Sequence, residues 1–268
     1  MGDWCIAQGI DPEYFFSHSH VRPSSLRRSP IHELTRSSQG VRTRDNIKRF
    51  QKNPLGSALS EEELIASVDA LELLIAENGR IMHESGGRGI TRLPGAEKLI
   101  NALRAGGARF GIVTSGASVL QPQRASPDPF AATLTYASSA LATAEIMLPS
   151  GPSLPFLITA GDCHHGKPHP EPYLNGLAAL RSLPGSPIPD ASHVLVFEDA
   201  PSGLASGLAA GCRTLAVCTG QTRERIRGTE ATHKVVDLER VEVVRCDGES
   251  ITLRIRTLAE EEEEGRVD

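Results

Sequence analysis

Three short stretches of this 268-residue chain hold side chains suited to a charged, oxygen-rich ligand. In the first, the apolar run 194–197 ends in Glu198 and Asp199. Adjacent carboxylates repel one another, and a cation relieves the cost of ionising both. Mg²⁺ is bound by one or two carboxylates together with water and phosphate oxygens. Asp199 capping a following helix accounts for one of these carboxylates but not for two. In the second stretch, Gly166-Lys167-Pro168-His169-Pro170-Glu171-Pro172-Tyr173, three prolines restrict the backbone around Lys167 and fix where its ammonium group starts. A cation held this way suits charge neutralisation. The third is Thr114-Ser115-Gly116 after 111–113, where a hydroxyl and approachable backbone N–H groups suit a phosphoryl oxygen. Taken alone, Thr-Ser-Gly is also ordinary loop material.

These groups need elements to bring them together. Apolar runs at 110–113, 156–159, 193–197 and 214–217 read as strands, and 94–105, 171–183 and 202–210 read as helices between them. Such alternation predicts right-handed βαβ units, hence an α/β fold with a Rossmann-like parallel sheet. Ligands bind beyond the carboxyl ends of the strands in such sheets. Thr114, Lys167, Glu198 and Asp199 each end or follow a strand, so they are expected to converge at one sheet edge.

Upstream, Ser60-Glu61-Glu62-Glu63 is a capping box, followed by Leu64, Val68, Leu71 and Ile75 at helical spacing. Asn78-Gly79 is expected to stop that helix, and 86–89 reads as a Gly-rich hinge. Downstream, Val241, Val243, Ile251, Leu253 and Ile255 alternate around Asp247-Gly248, a hairpin signal. Segments 21–39 and 118–130 are rich in Ser, Pro and Arg and read as poorly folded. The run 260–264 reads as a solvated acidic tail.

In their order, TSG, GKPHPEP and VFEDAPSGLASGLAAG resemble the haloacid dehalogenase superfamily. Within it, the likeness is to the fungal glycerol-phosphate and 2-deoxyglucose-6-phosphate phosphatases and their sugar-phosphatase relatives, from about Trp4 to Leu253. Gly40-Val41-Arg42-Thr43 and the stretch from Lys167 to Leu174 look especially like that branch. The resemblance implies a Mg²⁺-dependent hydrolase of small phosphate esters acting through an aspartyl-phosphate. It implies Thr114 as the phosphoryl-binding hydroxyl, with Ser115 and Gly116 beside it, and Lys167 as the cation neutralising nucleophile and phosphate. Glu198 and Asp199 would be the metal ligands, and Arg42 a substrate contact from a helical cap. Residues 1–90 would form that cap, 91–240 the core and 241–268 a hairpin with the acidic tail.

The pattern departs from these enzymes at one place. They carry Asp-x-Asp-Gly-Thr on the first core strand, and no Asp-x-Asp occurs in this chain. The chain opens inside what would be the cap, so the first core strand is expected to be absent. Residues 21–39 would be an insertion between Ser19-His20 and Gly40, and 118–130 a similar one. The chain is expected to bind Mg²⁺ and phosphate without turning over esters. A β-phosphoglucomutase-like mutase shares these motifs and needs the same aspartates. A non-catalytic Mg²⁺- or phosphate-binding remnant is the reading from a different class.

Other readings are weaker. Gly161 to Lys167 matches most of a P-loop, but Pro168 stands where Ser or Thr must reach Mg²⁺. Cys163, His164, His165 and His169 have zinc-binding side chains, yet adjacent histidines ligate poorly together and no second cluster exists. A net charge of −5 without a basic tract argues against nucleic acid and acidic membrane partners. Five dispersed cysteines fit a reducing cytoplasm. No apolar run approaches the roughly 18 residues that span a bilayer. A cytoplasmic monomer acting on a small-molecule phosphate ester is the expectation.

Overall fold

The computed structural model describes residues 41–50, 60–86, 92–116, 140–142, 144, 146, 154–185 and 187–264. Segments 21–39 and 118–130 lie outside the described residues.

Two helices come first, α1 (Thr43–Phe50) and α2 (Glu61–Glu84). The capping box closes α2 reciprocally. Glu63 N–H donates to Ser60 Oγ at 3.2 Å and Ser60 N–H to Glu63 Oε2 at 2.8 Å. Ile47 of α1 and Leu64 and Val68 of α2 are buried. Between the two helices, Thr43 Oγ1 donates to Glu72 Oε1 at 2.6 Å. The expected stop at Asn78-Gly79 is overturned, because α2 continues to Glu84. A mid-helix glycine costs only about 1 kcal/mol relative to alanine, and Arg80, Met82 and Glu84 beyond it are good helix formers.

The α/β part follows as α3 (Ala96–Ala105), β1 (Ile112–Val113), β2 (Leu157–Ile158), α4 (Glu171–Ser182), β3 (Leu195–Glu198), α5 (Pro201–Ala209) and β4 (Arg213–Val217). Then come α6 (Arg223–Arg227), β5 (His233–Val235), β6 (Val241–Cys246), β7 (Ile251–Ile255) and α7 (Leu258–Glu264). β1 pairs parallel with β2, and β3, β4 and β5 form a parallel sheet in that order. Among the described residues no ladder joins these two sheets.

β4 is the middle strand of its sheet, and Thr214 to Val217 are buried on both faces, as parallel strands covered by helices require. One face packs Leu215 and Val217 against Leu99 of α3, Val235 of β5 and Val241 of β6. The other packs Ala216 with Leu204 of α5, Ile226 of α6 and Leu258 of α7. A third cluster, Tyr173, Val196, Ala210 and Cys212, has Val113 of β1 against it.

β6 and β7 form the expected hairpin around Asp247-Gly248, antiparallel with a register shift between Val243 and Arg245. Gly248 has φ +81°, which suits glycine. The acidic run is helical, lying in α7 with Glu260 and Glu263 exposed. Leu258 anchors that helix in the core, and Arg240 Nε pairs with Glu261 at 2.6 Å. One apolar anchor beside many charges carries too little periodicity to be read from sequence.

Candidate active site

Lys167 lies in the loop between β2 and α4. Its neighbours Pro168, Pro170 and Pro172 donate no backbone hydrogen bond, and the Lys167–Pro168 peptide is cis. The loop is tied from outside by Ser206 of α5, whose Oγ donates to His169 O at 2.6 Å. The Lys167 side chain is only 4 % exposed. Its Nζ donates to Val113 O at 3.0 Å, to Tyr173 Oη at 3.2 Å and to Glu198 Oε1. It also lies 4.8 Å from the centre of the Tyr173 ring.

Glu198 ends β3, and its side chain is 9 % exposed. Oε1 accepts from both Lys167 and Tyr173. The carboxylate lies over the first turn of α5 at Gly203, where a β-carbon would overlap it. Burial and the Glu198 charge push the Tyr173 hydroxyl well above its usual range, so it remains a neutral donor. The result is a buried ion pair with extra hydrogen bonds, the arrangement that best offsets the desolvation of both charges.

Thr114 follows β1. Its N–H donates to Ile158 O at 2.9 Å, and its Oγ1 accepts from Gly116 N–H at 3.1 Å. Gly116 O in turn accepts from Ala160 N–H at 3.0 Å. This hydroxyl-closed turn holds Ser115 and Gly116, half-buried, directly after the strand that ends in the Lys167-bound carbonyl of Val113. Asp199 follows Glu198 and is also half-buried.

Arg42 comes from the N-terminal side of α1 and reaches the same loop. Nη1 donates to Cys163 O at 3.3 Å and His164 O at 3.1 Å. Nε and Nη2 donate to the Asp45 carboxylate at 2.7 and 3.2 Å. A β-carbon at Gly166 would overlap the Arg42 side chain. The guanidinium therefore lies along the loop backbone, one residue before Lys167.

Glu171, at the start of α4, closes the loop from inside. Its carboxylate accepts from His164 N–H at 2.6 Å and His165 N–H at 2.9 Å. These bonds, the His164 amide first, hold its carboxyl down at about 2.

The structure thus brings Lys167, Glu198 and the carbonyl preceding Thr114 together, with Asp199 adjacent, and sets Arg42 on the loop behind Lys167. Tyr173, Glu171, Ser206 and Gly203 enter the site region without having been singled out in the sequence. Tyr173 and Glu171 do belong to the Lys167 stretch, but nothing local reveals where their side chains turn. The donors at the end of β3 are carboxylate oxygens, which suits a hard ion such as Mg²⁺. Glu198 Oε1 takes two hydrogen bonds, and the carboxylate of Asp199 follows it at the same strand end.

Residues 28–211 match the haloacid dehalogenase-like hydrolase family. Glycerol-1-phosphate phosphohydrolase 1 of Saccharomyces cerevisiae is 33% identical over 183 residues, 68% of this chain and 59% of that protein. The match thus spans less than two thirds of that relative's length. 2-Deoxyglucose-6-phosphate phosphatase 1 of the same yeast is 27% identical over 262 residues, 94% of this chain and 85% of that protein. Among solved structures, CbbY from Rhodobacter sphaeroides in complex with phosphate superposes with a TM-score of 0.56 at 16% identity, covering 88% of this chain and 84% of that one. This last likeness concerns the fold. The matched length and the yeast relatives agree with the parallel sheets and the order of the strand-end residues: the chain belongs to the haloacid dehalogenase-like hydrolase family.

Proposed function

We propose that this chain carries the phosphoryl-binding half of a phosphomonoesterase site for small phosphate esters such as glycerol phosphate or a hexose phosphate. The observation that carries the reading is the buried Lys167 ammonium, which bridges the Val113 carbonyl and Glu198 beside Thr114 and Asp199. Lys167 supplies the positive charge for phosphoryl oxygens, and Glu198 Oε1 with Tyr173 positions it. The Thr114 hydroxyl and the Ser115–Gly116 turn flank the phosphoryl group. The Glu198 and Asp199 carboxylates would hold Mg²⁺, which supplies further charge neutralisation when bound. Arg42 acts through the loop, fixing the backbone from which Lys167 projects. The free cysteines Cys163, Cys212, Cys218 and Cys246 suit a reducing, cytoplasmic setting. Among the described residues no helix is long and apolar enough to cross a membrane.

Phosphoryl transfer needs a placed attacker and an acid for the leaving oxygen. No Asp-x-Asp is present in these 268 residues to provide either. General acid–base help alone is typically worth about 10²–10⁴-fold, so trace turnover is expected.

The test compares inorganic phosphate binding, with Mg²⁺ present, and turnover of glycerol phosphate and 2-deoxyglucose 6-phosphate. This chain, its Lys167→Ala variant and a version extended by a strand ending Asp-x-Asp-Gly-Thr are assayed together. Phosphate binding that depends on Lys167, with turnover gained only on extension, supports the reading. Binding without turnover in either form supports the non-catalytic remnant instead. Phosphate binding unaffected by Lys167→Ala overturns the site assignment. Full turnover by the unextended chain, lost in Lys167→Ala, shows another residue acting as nucleophile.

A further inference from the structure

We propose that His165, His169 and Glu171 form a transition-metal site on the loop that carries Lys167, separate from the oxygen donors at the end of β3. One ligand atom from each of the three side chains lies within 4.8 Å of the other two. The imidazole rings of His165 and His169 stack with centroids 4.4 Å apart. The Nδ1 atoms of both rings face the same carboxylate oxygen, Glu171 Oε2, at 2.8 Å for His165 and 3.9 Å for His169. Ligands about 2.1 Å from a tetrahedral zinc ion are roughly 3.4 Å from one another. The two observed separations bracket that value, so a metal needs only small ring rotations. Both rings are free enough to make them, with side-chain exposures of 66% and 48%.

The carboxylate does not need to be organised by the ion. Backbone N–H groups of His164 and His165 already hold Glu171 in place. His169 Nδ1 accepts from Glu171 N–H at 3.2 Å, a bond that a metal on this nitrogen would replace. His165 Nδ1 faces the carboxylate as a donor, so binding a metal through it takes the tautomer that carries the proton on Nε2. Two imidazoles and one carboxylate suit Zn²⁺, Co²⁺ or Ni²⁺ rather than Mg²⁺. Three protein ligands leave a coordination position for water.

The zinc-binding set read from sequence, Cys163, His164, His165 and His169, is thereby revised. Cys163 is buried with Asn175 Nδ2 donating to its Sγ at 3.6 Å, and burial pushes its thiol up, away from the thiolate a metal needs. Glu171 takes its place because the first turn of α4 folds back over the loop. His165 and His169 stand two residues before and two after Lys167. An ion here clamps the Lys167 loop from both sides.

The test titrates the full chain with Zn²⁺ in buffer containing excess Mg²⁺, by calorimetry, and with Co²⁺ by its visible absorption. One equivalent is expected, with affinity falling at least about tenfold in each of His165→Ala and His169→Ala and less in Glu171→Gln. Circular dichroism verifies that the variants, at exposed His165 and His169 and part-buried Glu171, keep their fold. Absence of saturable binding, or binding unchanged in the His165→Ala/His169→Ala double variant, overturns the site. Neither result bears on the Lys167-dependent binding of phosphate.

Discussion

Lys167 and Glu198, 31 residues apart, form a buried ion pair that links two sheets which share no hydrogen-bonded ladder among the described residues. The same ammonium also holds Val113 O at the end of β1. One cation thus gathers the carboxyl ends of β1 and β3, whose following residues are Thr114 and Asp199. Structural and chemical roles are merged in this side chain, and substitutions should expose both.

Lys167→Met removes the cation and leaves the Glu198 carboxylate buried with only Tyr173 as its partner. Breaking a buried pair by removing one member typically costs about 3–5 kcal/mol. The double substitution Lys167→Met/Glu198→Gln leaves no uncompensated charge and should be more stable than Lys167→Met alone. Urea unfolding of the wild type, both singles and the double closes the cycle. A double variant less stable than Lys167→Met would show that the pair is not coupled as described.

Gly203→Ala should reverse the usual sign of a glycine-to-alanine change in a helix. Alanine normally gains up to about 1 kcal/mol there. Here the added methyl overlaps the Glu198 carboxylate, and overpacking costs about 1–3 kcal/mol. Displacing Glu198 should also loosen Lys167. The expected result is a lower Tm together with weaker phosphate binding, and a raised Tm would contradict it.

Arg42→Ala should release the loop at Cys163 and His164 without touching Lys167 directly. Hydrogen exchange over residues 163–167 is expected to rise while exchange in β4 stays unchanged. Arg42→Lys should rescue little, because one ammonium cannot serve two carbonyls and the Asp45 carboxylate in the fork geometry observed. Gly166→Ala, which crowds the same guanidinium, should give a milder version of the same exchange pattern.

Glu171 makes the loop acid-sensitive in a defined window. Its folded carboxyl is held at about 2 by the His164 and His165 bonds, against an ordinary glutamate value of about 4.3. A depressed folded value means the contribution is fully present above the unfolded value. It is lost as pH falls through the folded one. The stability difference between wild type and Glu171→Gln should therefore be constant above about pH 5 and shrink toward pH 2. Denaturant unfolding at several pH values measures it, and a difference independent of pH across that window would show that the carboxylate is not held by those amides.

Much of this architecture follows from local pattern. Apolar runs alternating with helical ones lead to parallel strands because each run must bury both faces. Ser60 and Glu63 cap α2, and Asp247-Gly248 turns a hairpin, through bonds between residues a few positions apart. The chemically loaded residues are visible for the same reason: they stand where strands end. The helix that ignores Asn78-Gly79, the short elements α6 and β5, and the burial of α7 by Leu258 were not legible, since packing rather than propensity decides them. Tertiary structure alone determines what the site residues touch. Arg42 finds the backbone of Cys163 and His164 across 121 and 122 positions, and Glu198 turns to Lys167 and Tyr173 rather than outward. A side chain's type is written in the sequence, but its partner depends on where distant backbone segments come to rest, and that depends on the burial of the whole chain.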